Sequence, residues 1–271
     1  MSLQQKTKRL VCDYGVAPKR RLGQNFMVSD RFLGLMTSYA ALARSDVVLE
    51  VGAGFGFLTQ YLAQKAGRVV AVEVDRRLMR ALRSQLADLD NVELVEGDVL
   101  DVPIPVFNKM VSNPPFSISS PLLFWLLEKR FEYAVLTFQE EFARRLDAPT
   151  GSKDYSRLTV STYYHADVEL LDKVPKEAFY PMPDVNAVIV RLNPKKSSPF
   201  KVKDKHFFDD VVRTLFSQRN RKVRKAILPL FRKQGASDPK IVEKVDSLPF
   251  KDRRVRDLPP EDFGVLANEL S

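Results

Sequence analysis

A strand, a glycine-rich turn and a helix follow one another over residues 47–62. Residues 47–51 form the strand-like run Val-Val-Leu-Glu-Val, and residues 52–56 read Gly-Ala-Gly-Phe-Gly. Apolar side chains then recur at helical spacing from Phe57 to Leu62. This order predicts the first unit of a Rossmann-like α/β fold, in which a ligand lies against the turn between strand and helix.

The spacing of the glycines indicates which ligand this turn takes. The dinucleotide fingerprint G-x-G-x-x-G needs glycine at its sixth position, and Phe57 stands there. The observed G-x-G-x-G pattern instead resembles the first motif of S-adenosylmethionine-dependent methyltransferases. A second strand, over residues 68–72, ends at Glu73, which lies 21 positions beyond Gly52. A carboxylate at this place is typical of a residue that binds the ribose of a cofactor.

Two further strands also lead to polar side chains. Residues 92–95 are followed closely by Asp98, and residues 107–111 lead to Asn113. Ligands of open α/β sheets bind along the carboxyl edge of the strands, so these groups and Glu73 should meet at one site. In the methyltransferases that the glycine pattern resembles, an acid at the position of Asp98 binds the cofactor's adenine. The order of these features favours a methyltransferase.

Residues 113–116 read Asn-Pro-Pro-Phe, which suits methylation of a planar amine. Such a nitrogen is a poor nucleophile, and the Asn113 side-chain oxygen and the Pro114 carbonyl can accept hydrogen bonds from it. Both prolines fix φ, so the loop is stiff, and Phe116 offers a face for a stacked base. Alone, the tetrapeptide fits a strand-end turn with a buried Phe equally well. The glycine turn and the two acids ahead of it favour the chemical interpretation.

The charge distribution predicts a polyanionic partner. The chain of 271 residues carries 43 Lys and Arg against 34 Asp and Glu, a net charge of +9. The excess is concentrated in residues 1–25 and 213–225, and nucleic acid is the expected partner. The residues that we expect to contact RNA are Arg20, Arg21, Arg219, Arg221, Lys222 and Arg224.

Other features exclude several classes of protein. The single cysteine, Cys12, excludes an internal disulfide and a cysteine-based zinc site. His165 and His206 lie far from the motifs, so we expect neither a metal site nor a histidine base. Direct attack of an amine on a sulfonium cofactor needs no such base. The chain shows no long apolar stretch and no apolar leader, so we expect a cytoplasmic protein without a membrane span.

The patterns predict an α/β fold with a Rossmann-like class I methyltransferase sheet, helices on both faces, and a small C-terminal helical domain. Residues 167–171 and 185–192 read as late strands, and residues 193–199 as a linker. Apolar residues over 207–216 fall at helical spacing, and Pro229 should break the helix that follows. The predicted regions are a basic N-terminal arm over 1–25, the methyltransferase domain over 26–193 and a helical RNA-binding domain over 200–271.

Over nearly its whole length the chain resembles the ribosomal RNA small-subunit adenine dimethyltransferases, a family with archaeal and eukaryotic types. The N-terminal segment Leu-Gly-Gln-Asn-Phe-Met and the proline-rich segment Ala-Phe-Tyr-Pro-Met-Pro are more specific to that family than the glycine turn is. The segments that carry the resemblance are 22–27, 51–56, 73, 97–98, 113–121, 151–158, 175–185 and 216–222.

The resemblance implies roles for individual residues. Those implied to contact S-adenosylmethionine are Asn25, Met27, Gly52, Gly54, Glu73, Asp98 and Asn113. The side chain of Asn113 and Pro114 would meet the target amine, Phe116 would stack on a flipped-out adenine, and Phe179 would cover its other face. The implied enzyme is a monomer that adds two methyl groups to each of two adjacent adenines near the 3′ end of small-subunit ribosomal RNA. Its substrate would be the assembling pre-ribosomal small subunit.

Two departures from the family pattern keep alternatives open. Pro114 stands where members usually have Leu or Ile, and Phe116 where many have Tyr. Asn-Pro-Pro-Phe and Asn-Pro-Pro-Tyr also occur in DNA adenine and protein glutamine methyltransferases. The alternatives are a large-subunit ribosomal RNA or DNA adenine methyltransferase, and a non-catalytic ribosome assembly factor that retains the fold. The loop at 154–158 and the basic C-terminal segment favour the small-subunit family.

Overall fold

Residues 1–16, 23–234 and 239–271 are described by the computed structural model. The strands are β1 Phe26–Met27, β2 Val47–Val51, β3 Arg68–Glu73, β4 Val92–Glu96, β5 Lys109–Ser112, β6 Tyr133–Gln139, β7 Ala166–Val174, β8 Phe179–Tyr180 and β9 Ala187–Pro194. The α-helices are α1 Leu3–Asp13, α2 Asp30–Tyr39, α3 Phe57–Ala63, α4 Arg76–Gln85, α5 Ser119–Leu127, α6 Glu140–Leu146, α7 Arg157–His165, α8 Lys205–Phe216, α9 Val223–Ala226, α10 Pro239–Ser247 and α11 Pro260–Leu270.

Within the described residues, seven strands form one sheet in the order β4-β3-β2-β5-β6-β9-β7. Neighbouring strands from β4 to β6 run parallel, and β9 pairs with β6 antiparallel. Val48, Leu49, Val69 and Val70 in the centre are fully buried, as expected for parallel strands covered on both faces. The predicted Rossmann-like sheet is confirmed. Because β2 to β5 are parallel, the residues that follow them lie along one edge.

A second, two-stranded sheet pairs β1 with β8 and brings Phe26 opposite Tyr180. Helix α1 packs into the same core through Leu10, and the ammonium group of Lys8 lies 5.7 Å from the centre of the Tyr180 ring. The charge pattern predicted a basic arm over these first residues, and the helix over Leu3–Asp13 was not predicted. The apolar face of α1 orders the part of this region that the structure describes.

The contacts within the described chain divide it into two compact units. Unit 1 comprises Met1–Ala143 and Val168–Pro194, and unit 2 comprises Arg144–Asp167 and Lys195–Ser271. Residues 144–167, which the predicted boundaries gave to the methyltransferase domain, thus group with the C-terminal segment. The physical reason is burial, since Tyr155, Val160 and Tyr164 belong to the same apolar core as α8 and α11.

The helices of unit 2 follow their predicted spacing. Helix α8 covers the predicted apolar repeat, and Phe208, Val211 and Leu215 on its inner face are fully buried. Helix α9 ends at Ala226, and the chain continues as a 3-10 segment over Leu228–Gln234. This end of the helix agrees with the break predicted at Pro229. Among the described residues, no helix is long and apolar enough to cross a membrane.

Candidate active site

One cleft lies at the carboxyl edge of β2 to β5 in unit 1. It encloses about 860 Å³ including its open mouth, a size suited to a small-molecule ligand. The structure brings together six of the seven residues that the resemblance implied for the cofactor. Those that line the cleft are Asn25, Gly52, Gly54, Glu73, Asp98 and Asn113.

The turn after β2 requires glycine for steric reasons. Gly52 has a φ of 75° and Gly54 a φ of 61°, both in the left-handed region that favours glycine. A Cβ atom on Gly52 would lie 2.7 Å from Cδ of Pro115, and one on Gly54 would lie 3.0 Å from Cδ1 of Phe26. The backbone of the turn therefore lies directly against these two rings, which any side chain would displace.

Glu73, at the end of β3, is held in one orientation by backbone N–H groups. Its Oε2 accepts a hydrogen bond from Gly54 N at 3.0 Å, and its Oε1 accepts one from Asp75 N at 2.9 Å. Burial raises the pKa of this carboxyl group above its usual range. A carboxylate oxygen can accept more than one hydrogen bond, and a ribose offers two adjacent hydroxyl donors. Glu73 therefore fits the ribose of S-adenosylmethionine.

The other side of the cleft suits an adenine ring. Asp98 follows β4, and its Oδ1 accepts a hydrogen bond from Leu100 N at 3.0 Å. Val74 and Ile118 also line the cleft, and Val74 is 56% exposed although it follows a buried acid. Apolar surfaces beside a carboxylate can hold the faces of a planar ring while the carboxylate accepts from its amino group.

Glu50 lies in β2 two residues before Gly52 and is almost fully buried. Burial raises the pKa of its carboxyl group to about 8, and the charge of Glu73 acts in the same direction. The folded protein therefore holds this proton more tightly than the unfolded chain, so the free energy of unfolding falls as the pH rises from about 4.5 to about 8. We expect Glu50→Gln to raise the free energy of unfolding at pH 8 by several kcal/mol, measured by denaturant unfolding without cofactor.

The matched control is Glu128→Gln on an exposed position. We expect the gain of Glu50→Gln over this control to disappear well below pH 4.5, where Glu50 is protonated in the folded and unfolded states alike. An equal gain for Glu50→Gln at pH 8 and at this low pH would contradict the assigned protonation.

The amide of Asn113 is held at both ends. Its Nδ2 donates to the backbone carbonyl of Asn25 at 3.2 Å, and its Oδ1 accepts a hydrogen bond from the hydroxyl of Thr137. Asn25 in turn donates from its own Nδ2 to the carbonyl of Gly23 at 3.1 Å. The segment before β1, the end of β5 and strand β6 thus converge on one side chain.

A second pocket adjoins the cofactor cleft in unit 1. Residues that line it include Phe116, Gln139 and 181–185, and it shares Gln24, Asn25 and Ser117 with the cleft. An aromatic ring together with amide and backbone groups can hold a planar polar ring such as a nucleobase. Two ligands bound in these two pockets would therefore meet beside Asn25 and beside the Asn113 amide, which donates to the Asn25 carbonyl.

Two predicted site residues are buried and line neither the cofactor cleft nor the second pocket, although Met27 lines a small cavity that also touches Gly52 and Asn113. Met27 and Phe179 face each other across the β1–β8 pair, and Phe179 is only 2% exposed. The rings of Phe179 and Phe116 form a T-shaped pair, with 6.0 Å between the ring centres. Phe179 thus supports Phe116 in this structure. Its stacking on an adenine stays a prediction, as does a cofactor contact by Met27.

Several residues that line the two pockets were not predicted from the sequence. Gln24 and Phe26 belong to the N-terminal segment that carried the family resemblance, and Phe26 packs on Phe55 with 4.7 Å between ring centres. Gln139 ends the apolar run of β6. The rule that identified Asn113, a polar residue at the carboxyl end of a parallel strand, would also have identified Gln139.

The predicted RNA-binding residues differ in their surroundings. Arg20 and Arg21 lie outside the described residues. Arg219 donates to the carbonyls of Ser152 and Lys153 at 2.9 and 2.8 Å, so its guanidinium group ties down the loop before α7.

The remaining predicted residues lie together on unit 2. Lys222 and Arg224 both pair with Asp252, at 3.1 and 3.6 Å. Arg221 is exposed and forms no ion pair with any residue that the structure describes. Its charge is therefore available to a partner.

A second basic segment, residues 251–256, lies beside the predicted one and was missed. Val223 N donates to the carbonyl of Arg253, and Val255 N donates to the carbonyl of Arg221, both at 3.0 Å. Lys222 and Arg254 form an antiparallel bridge. We call residues 219–225 and 251–256 the paired basic segments. Over the described part of the chain, no group of three or more His, Cys, Asp or Glu is placed to hold a metal ion.

Comparison with known proteins agrees with this geometry. The family described as "Ribosomal RNA adenine dimethylase" matches residues 16–270. A "Probable ribosomal RNA small subunit methyltransferase A" of Methanosarcina acetivorans is 44% identical over 249 residues, 91% of each chain. A protein of the same name from Pyrococcus abyssi is 40% identical over 262 residues, 96% of this chain and 95% of that one.

Solved structures share the fold. A dimethyladenosine transferase from Plasmodium falciparum superposes with a TM-score of 0.74 at 30% identity, covering 88% of this chain and 94% of that chain. The 23S rRNA methyltransferase ErmE gives a TM-score of 0.65 at 29% identity, covering 91% of this chain and 99% of that one. Because the family match includes the glycine turn, both acids and the Asn113 loop, the chain belongs to the ribosomal RNA adenine dimethylase family.

Proposed function

We propose that this protein uses S-adenosylmethionine to dimethylate N6 of two adjacent adenines near the 3′ end of small-subunit ribosomal RNA, during assembly of the small subunit. The observation that carries the proposal is the position of Asn113. Its amide lies in the cofactor cleft and is oriented by Asn25, a residue common to the cleft and the second pocket.

The chemistry needs orientation more than proton transfer. S-Adenosylmethionine, when bound, supplies an electrophilic methyl group on a positively charged sulfur. The lone pair of adenine N6 is delocalised into the ring, and acceptors on its N–H groups draw it out of conjugation. Oδ1 of Asn113 and the carbonyl of Pro114 are the acceptors, and Phe116 holds the ring by stacking. Catalysis then comes from alignment and from these hydrogen bonds.

The relatives favour the small-subunit substrate over the alternatives. Relatives at 40–44% identity that span at least nine-tenths of both chains carry the small-subunit name, whereas the large-subunit enzyme is 29% identical. A non-catalytic assembly factor would have no use for Glu73, a buried carboxylate on the wall of an open cleft. We also propose that the protein acts as a monomer in the cytoplasm.

We further propose that the paired basic segments of unit 2 bind the phosphate backbone of the RNA. Their main chains are joined by hydrogen bonds, so Lys and Arg side chains from both form one surface with Asp252 as an internal acid. Such contacts fix the position of an RNA without reading its sequence. Arg221 is exposed and available to phosphate, while Arg219 stabilises the fold through the carbonyls of Ser152 and Lys153.

This difference predicts opposite behaviour for two arginines. Arg221→Gln should weaken RNA binding and lower the slope of log K against log salt by about one, with an unchanged melting temperature. Arg219→Gln should instead lower the melting temperature, because the carbonyls of Ser152 and Lys153 lose their donor. Fluorescence anisotropy over a salt series and thermal unfolding measure both. If the affinity of the wild-type protein for RNA did not change with salt concentration, the proposed phosphate-binding surface would be wrong.

The proposed function is tested by mapping methylated adenines by mass spectrometry in RNA from cells with and without this protein. We expect a pair of dimethyladenines near the 3′ end of small-subunit RNA to disappear on deletion and to return on complementation. Loss of methylation from large-subunit RNA or DNA instead, or no change in any methylated adenine, would overturn the proposal.

A further inference from the structure

Thr137 places a hydroxyl group in an apolar part of β6. Residues 134–138 of this strand read Ala-Val-Leu-Thr-Phe, and all five are fully buried. Valine would fill the same space without a polar atom. Burying a hydroxyl that lacks a hydrogen-bond partner is unfavourable, so the partner of this hydroxyl indicates its role.

The partner is Oδ1 of Asn113. The opposite end of the amide, Nδ2, donates to the carbonyl of Asn25 at 3.2 Å. A carbonyl oxygen only accepts, so a flipped amide would bring two acceptors together at Asn25 and is disfavoured. The hydroxyl of Thr137 then donates to Oδ1, and the orientation of the amide is determined at both ends.

This arrangement leaves one lone pair of Oδ1 for a ligand. A carbonyl oxygen has two acceptor sites, and Thr137 occupies one of them. The remaining site can accept one N–H of an exocyclic amine. Without the Thr137 hydroxyl, only the bond to Asn25 would limit rotation of the amide.

We propose that Thr137 is a positioning residue that aims Oδ1 of Asn113 at the methyl-acceptor amine. The inference rests on the proposed function, because it takes an adenine amine as the group that Asn113 receives. Thr137 itself touches neither ligand in this account. It acts through Asn113, so its loss should reduce the rate of methylation and leave cofactor binding intact, since the turn and Glu73 hold the cofactor.

The test compares two variants. Thr137→Val keeps the shape of the side chain and removes its hydroxyl, whereas Thr137→Ser keeps the hydroxyl. The control is Thr37→Val, which removes a buried hydroxyl that bonds the Leu33 carbonyl of its own helix at 2.8 Å. We measure kcat for methylation of small-subunit particles, the Kd of S-adenosylmethionine by calorimetry, and thermal unfolding. We expect Thr137→Val to lower kcat by about 10- to 100-fold with an unchanged Kd, and Thr137→Ser to stay within about threefold of the wild type.

Each outcome decides the matter. Wild-type kcat in Thr137→Val, an equal loss in Thr137→Ser, a parallel loss of cofactor affinity, or a similar loss of kcat in Thr37→Val would overturn the positioning role. A wild-type protein that binds S-adenosylmethionine but does not methylate the particles would instead overturn the proposed function. The two failures are therefore distinguishable.

Discussion

Asn113→Ala is expected to reduce adenine methylation by about 10²- to 10³-fold, the loss typical of removing one group that stabilises a transition state. The variant loses the acceptor that draws the N6 lone pair towards reaction. It should still bind S-adenosylmethionine, because the glycine turn, Glu73 and Asp98 remain. Its free energy of unfolding should fall by about 1–3 kcal/mol, since the Thr137 hydroxyl and the Asn25 carbonyl lose their partner.

Labelled methyl incorporation into small-subunit particles, together with calorimetry, measures this effect. The control is Asn268→Ala, which removes another amide that joins two segments through Lys201 and Lys203. That variant should lose stability and keep its specific activity. Near-normal methyl incorporation by a folded Asn113→Ala variant would show that Asn113 does not take part in the reaction.

Gly52→Ala is expected to lower kcat/KM by about 100-fold or more, as a small misplacement of reacting groups can do. The φ of 75° disfavours any side chain, and the new Cβ would lie 2.7 Å from Cδ of Pro115. Either the turn or the proline loop must then shift. Because Gly52 lines the cofactor cleft and Pro115 follows Asn113 closely, cofactor affinity and kcat should both fall. Calorimetry and steady-state kinetics separate the two effects.

Gly151→Ala is the matched control for backbone strain. Gly151 has a φ of 84°, and a Cβ there would meet nothing within 4 Å. This change should cost stability, of order 1–2 kcal/mol for a left-handed residue, and leave the Kd of the cofactor unchanged. If both alanine variants altered cofactor affinity equally, the close approach to Pro115 would not be the reason that the turn needs glycine.

Much of the cofactor cleft could be predicted from the sequence because one rule connects chain order with position. In a parallel sheet, residues after successive strands lie on the same edge, so Gly52, Glu73, Asp98 and Asn113 could be assigned to one site from their place after apolar runs. Strand β2 was predicted to the residue, and β3 and β4 to within one residue at their carboxyl ends.

Other parts could not be predicted because they depend on pairing between distant segments. Asn25 and Asn113 are 88 positions apart, and Thr137 lies 24 beyond Asn113. Nothing in the local pattern of β6 distinguishes Thr137 from a residue that merely fits a strand. The burial of Phe179 likewise depends on the β1–β8 pair, whose two-residue strands give no periodic signal.

The sequence by itself determined the class of fold, the cofactor and the type of amine chemistry, because glycines, acids and the Asn-Pro-Pro-Phe loop act through their own backbone and polar groups at strand ends. Only the tertiary structure decided how these groups are oriented and which charges are available. In the folded protein, Arg219 donates to loop carbonyls, whereas Arg221 is exposed. The Asn113 amide is hydrogen-bonded to Asn25 and to Thr137. The physical reason is that a hydrogen bond depends on distance and direction in space, which residue order does not specify.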